Sequence, residues 1–100
     1  MNENEKKWYN EGLDLAKLKR YEEAIEAFEK AIMINPNNAE AWNNKGVGLA
    51  NLGRYEEAIE AFKKAIEINP NNAAAWYNKG VGLSNLGRDE EAIEAFKKCN

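Results

Sequence analysis

Three tryptophans, Trp8, Trp42 and Trp76, stand 34 residues apart, and much of the chain keeps the same interval. Gly12, Gly46 and Gly80 keep it, as do Leu15, Leu49 and Leu83, then Ala24, Ala58 and Ala92, then Phe28, Phe62 and Phe96, with Pro36 and Pro70 following. Between residues 39–66 and 73–100, 22 of 28 positions are identical, which rules out coincidence. A fixed period of this length marks stacked supersecondary units, each unable to bury its apolar face alone.

Within a unit the spacing predicts two helices. Trp8, Gly12 and Leu15 lie at i, i+4 and i+7, so the first helix covers roughly Lys6 to Leu18. The second starts near Tyr21, and Ala24, Ile25, Phe28, Ala31 and Ile32 form its apolar stripe. Gly53 and Gly87 supply the left-handed residue that ends a first helix. Lys19 occupies that place in the first unit, where strain is expected. Asn35-Pro36-Asn37-Asn38 and Asn69-Pro70-Asn71-Asn72 end the second helices, since proline cannot continue them and asparagine suits turns and caps. Glutamates open the second helices and Lys63, Lys64, Lys97 and Lys98 stand near their ends, which suits the helix dipole. Glu60–Lys64 and Glu94–Lys98 are expected as i,i+4 pairs.

The pattern Trp-x3-Gly-x2-Leu, then Gly-Arg-Tyr-Glu-Glu-Ala-x3-Phe-x2-Ala, then Asn-Pro-Asn-Asn resembles the signature of tetratricopeptide repeats over 5–38, 39–72 and 73–100. The expected architecture is all-α, a single domain over 1–100. It is an α-solenoid of three stacked antiparallel helical hairpins. The resemblance implies a right-handed superhelix with the first helices lining its inner wall. Gly12, Gly46 and Gly80 with Ala24, Ala58 and Ala92 let the two helices of a unit approach, and Trp and Phe are expected to fill the space between units. Tyr21 and Tyr55 should pack on the following unit; Asp89 holds that place in the third.

Chemistry is scarce. There is no histidine to act as a general base or metal ligand, and the only serine, Ser84, has no candidate partner. Gly46-Val47-Gly48 and Gly80-Val81-Gly82 lie inside helical patterns and read as packing glycines, not a phosphate loop. No catalytic role, metal or cofactor is expected. A net charge of −3 with interleaved signs argues against nucleic acid. No apolar run approaches a membrane span and no signal peptide opens the chain, so a cytoplasmic setting without membrane insertion is expected. Cys99 reads as a small residue near a helix end.

The resemblance points to the inner faces of the first helices as a binding groove for a protein or peptide. That face carries Tyr9, Asn10, Leu13 and Lys17, then Asn43, Asn44, Val47 and Asn51, then Tyr77, Asn78, Val81 and Asn85. Asparagine both donates and accepts, which suits the backbone of an extended peptide, and Leu13, Val47 and Val81 offer apolar seats. Chaperone co-factors of the family hold acidic tails in a cationic clamp; the matching positions are Tyr9, Leu13, Asn44, Ala74 and Asn78, and only Asn44 fits. Binding of chaperone tails is therefore not expected. The alternative function is self-assembly as a homo-oligomer, by end-to-end stacking or by a symmetric dimer closed through the face of the third unit. No polar closing helix follows the third unit, and Leu83, Ile93 and Phe96 are expected to leave an apolar face open there.

Overall fold

The computed structural model describes residues 1–99. The helices are α1 Glu3–Lys17, α2 Tyr21–Ile34, α3 Ala39–Asn51, α4 Tyr55–Ile68, α5 Ala73–Asn85 and α6 Asp89–Lys97. Among the described residues there is no strand. Asn100, expected inside the last turn of the sixth helix, lies outside them.

Each boundary has a local cause. α1 begins earlier than Lys6 because Asn2 caps it: its side chain accepts from the Glu5 N–H at 2.8 Å while its own N–H donates to the Glu5 carboxylate at 3.3 Å. Asn38 and Asn72 cap α3 and α5 by accepting from Ala41 and Ala75. The first helix of every unit ends alike. Arg20 donates back to Leu15 and Lys19 to Ala16, each at 2.9 Å, around a left-handed residue. That residue is Gly53 at φ 77° and Gly87 at φ 76°, and Lys19 at φ 62° is forced into the same conformation. No side chain caps the second helices. Instead Arg20, Arg54 and Arg88 each grip the glutamate three residues on through paired hydrogen bonds of 2.6–3.0 Å.

Two charge expectations are corrected. Lys63 and Lys64 are not terminal, because α4 continues to Ile68 and has no basic residue in its last turn. The glutamates pair at i,i+3, Glu60 with Lys63 at 3.5 Å and Glu94 with Lys97 at 3.3 Å. Lys64 and Lys98 turn instead toward hollows beside Trp42 and Trp76.

Packing within a hairpin is set by one contact repeated three times. A Cβ added at Gly12, Gly46 or Gly80 would lie 2.5 Å from the ring of Phe28, Phe62 or Phe96. The phenylalanines thus seal their own hairpins, and the expectation that they fill the space between units holds in part, for Phe62, which shares a core cluster with Ile25 of the preceding unit. That space is taken by Ile25, seated over Gly48, and Ile59, seated over Gly82, with the tryptophans beside them. Trp42 and Trp76 also fasten the preceding loops, their indole N–H groups donating to the carbonyls of Pro36 and Pro70 at 2.8 Å.

Successive helices pack in sequence. In addition α1 touches α3 and α3 touches α5, whereas α2, α4 and α6 do not touch one another. The stack therefore bends with the first helices on the inside. It measures 40 × 25 × 18 Å.

Candidate functional site

The inner face is a ladder of amides. At the first junction the Asn44 amide donates to the Tyr9 hydroxyl at 3.1 Å, and at the second the Asn78 amide donates to Asn43 at 3.2 Å. Burial and then Glu40 push the Tyr9 phenol up, against the pull of Asn44, so it stays protonated at neutral pH. Asn51 and Asn85 return their amide protons to the carbonyls of Val47 and Val81 on their own helices, each at 2.9 Å. Both residues are exposed, and an asparagine side-chain oxygen is an acceptor.

Two hollows open on this face. One, about 220 Å³, brings together Val47, Asn51, Asn78, Val81 and Asn85 between α3 and α5. The other, about 460 Å³, holds Tyr9, Asn43 and Asn44 beside the second Asn-Pro-Asn-Asn loop. Asn10, Leu13 and Lys17 line neither, and Tyr77 leans on Phe96 with ring centroids 5.7 Å apart. Sequence reasoning did not assign Tyr55, Glu40 or the loop asparagines Asn69, Asn71 and Asn72 to the site, and the structure adds them. For Tyr55 a signal existed in its position at the start of α4, where it reaches the following unit.

A second omission is Glu5, which is only 2% exposed. Its carboxylate accepts from the Asn35 and Asn38 side chains at 3.0 and 2.9 Å, tying α1 to the loop before α3. Burial works to raise its pKa, but hydrogen bonds from Asn35, the Asn2 backbone and Asn38 outweigh that and hold it below the ordinary value of 4.5.

The expected open face at the third unit is corrected in one member. Leu83 is 2% exposed and packs with Ile59, Ala92 and Ala95, because it faces the outer helices and not the end of the stack. Ile93 is 54% exposed and Phe96 is half-buried against Gly80.

Family models described as tetratricopeptide repeat match residues 6–38 and 39–72, and a further one matches 61–94 in a frame that begins inside α4. The chain belongs to the tetratricopeptide-repeat family. No curated protein matches it in sequence. Its structure is similar to a crystal structure of MamA, with 29% identity and a TM-score of 0.93, over 96% of this chain and 56% of that one. It thus spans little more than half of that relative. A point mutant of MamA is 34% identical, with a TM-score of 0.90 over 99% of this chain and 72% of the other. The second repeat domain of Spaghetti, solved bound to the HSP90 peptide SRMEEVD, is 25% identical, with a TM-score of 0.94 over 97% of this chain and 90% of that one. No helix among the described residues is long and apolar enough to cross a membrane.

Proposed function

We propose that the chain is a non-catalytic interaction scaffold that holds an extended peptide or protein segment along α1, α3 and α5. The observation that carries this reading is the hollow between α3 and α5, where Val47 and Val81 form an apolar floor flanked by Asn51, Asn78 and Asn85. Side chains of a peptide fit such a floor while its backbone meets the amides. The binding of a peptide by the Spaghetti domain, which shares the fold, supports the same use here.

The HSP90 peptide itself is not the ligand we propose. Leu13 and Ala74 stand at clamp positions, and the Asn44 amide is already engaged by Tyr9. A segment with apolar residues and few acidic ones suits the groove better.

The test is a peptide selected from a random library and titrated calorimetrically against wild type and an Asn51→Ala/Asn85→Ala double variant. Both asparagines are exposed and bond only within their own helices, so the fold should survive. Each lost hydrogen bond to a peptide removes about 1 kcal/mol, so affinity should fall about tenfold or more. Equal affinity for the two proteins would overturn the reading.

Self-assembly by end-to-end stacking, the other function weighed, meets an obstacle at Asp14. Ile25 and Ile59 nest over Gly48 and Gly82 at 3.0 and 3.1 Å. In the register of the repeat, Ile93 would meet Asp14 of a second copy, a longer and charged side chain. Lys97 would find a complementary Glu11 in that arrangement, but an exposed pair offsets little of the cost of burying a carboxylate against isoleucine.

A further inference from the structure

The outer surface carries two equivalent hollows, one around each of Trp42 and Trp76. Trp42 lies in a hollow of about 330 Å³ between α2, α3 and α4, and Trp76 lies in its counterpart of about 270 Å³ between α4, α5 and α6. In the first, Glu29 of α2 pairs with Lys45 of α3 at 3.2 Å, and three cations face three carboxylates around the rim. One repeat on, Lys63 replaces Glu29 opposite Lys79. Four cations now face two carboxylates.

Those carboxylates are already engaged. Glu91 is gripped by Arg88 through two hydrogen bonds, and Glu94 holds Lys97 at 3.3 Å. Lys63 has a contact with Glu60 at 3.5 Å, exposed on both sides and therefore weak. Among the described residues no carboxylate lies within ion-pairing reach of Lys79 or Lys98. Their ammonium groups sit 5.2 and 5.6 Å from the centroid of the Trp76 ring. Burial, and then the neighbouring Lys63, lower the pKa of Lys79 against the opposing pull of Glu91.

We propose that the hollow around Trp76 binds a doubly charged anionic group of a peptide, with Lys63, Lys79 and Lys98 converging on it. The shared chemistry is compact negative charge, supplied either by neighbouring carboxylates or by a phosphate monoester. The site lies outside the groove and does not depend on it.

The experiment follows the backbone amides and indole N–H signals of the labelled protein by NMR. One arm adds a tetraglutamate peptide, the other a phosphoserine peptide of the same length. Saturating shifts at the Trp76 indole and at Lys79 are expected with at least one; whichever peptide causes them identifies the source of the charge. The decisive variant is Lys63→Glu, which recreates the Glu29–Lys45 pairing and so should fold as well as wild type, checked by its melting temperature. Reversing that charge is expected to weaken binding about tenfold, and raised salt should weaken it as well. The proposal fails if neither peptide moves these signals at millimolar concentration. It fails equally if Trp42 and Lys45 shift as much as Trp76 and Lys79, or if Lys63→Glu binds as tightly as wild type.

Discussion

Lys19 holds a backbone angle of φ 62° that its counterparts meet with glycine. A left-handed conformation costs a side-chain-bearing residue about 1–2 kcal/mol, part of which glycine returns through greater freedom in the unfolded chain. Lys19→Gly is therefore expected to stabilise the protein by about 0.5–1 kcal/mol, read as a shift of the urea midpoint with an unchanged slope. A lower midpoint would contradict the strain. Glu5 makes a prediction of another kind. Its folded pKa is held below 4.5, so the stability it adds is complete above that pH and drains away as pH falls through the folded value. Melting curves should show wild type above Glu5→Gln at neutral pH, the gap closing below pH 4.5; a constant gap would contradict the linkage. The two residues differ in how far sequence could reveal them. Lys19 is betrayed by the glycines in register with it. Glu5 is silent, because Ala39 and Ala73 occupy its place in the other units and its partners lie about thirty residues away.

At the scale of the helices, the hairpins were legible because one period carries both the helical spacing and the breaks. What the period could not give is which partner each apolar stripe meets. Phe28, Phe62 and Phe96 looked like filler between units, yet each seals its own hairpin against a glycine. Leu83 and Ile93 were both assigned to an open face, and only Ile93 is exposed. The side-chain direction along a helix, not the spacing, separates them. The glycine contact is testable. Alanine is the better helix former by about 1 kcal/mol, so propensity alone says that Gly46→Ala stabilises. A Cβ 2.5 Å from the Phe62 ring says the opposite, and overpacking costs about 1–3 kcal/mol. A net loss of stability in thermal unfolding is expected, and a gain would show that the hairpin has room to spare.

For the whole molecule the bend follows from which helices meet. The first helices touch from unit to unit and the second ones do not, so the amide-bearing face turns inward and the tryptophan hollows turn outward. The inner face could be named from the sequence as a candidate groove through its likeness to a family, although Asn10, Leu13, Lys17 and Tyr77 fall outside the hollows. The charge difference between the outer hollows was not, since it needs the facing helices of adjacent hairpins placed together. Asp14 at one end and Asp89 at the other oppose stacking in register, and light scattering across a wide range of concentration should give the monomer mass of 11.3 kDa throughout. A rising mass would return self-assembly to the account.

The central claim is that the inner face is where a partner lies, and an amide shift map with a library-selected peptide tests it most directly. The account predicts that the perturbed signals fall on α3 and α5, strongest at Val47, Asn51, Asn78, Val81 and Asn85, with α2, α6 and all of α4 except the neighbourhood of Tyr55 and Phe62 largely still. A footprint confined to those outer helices would contradict it.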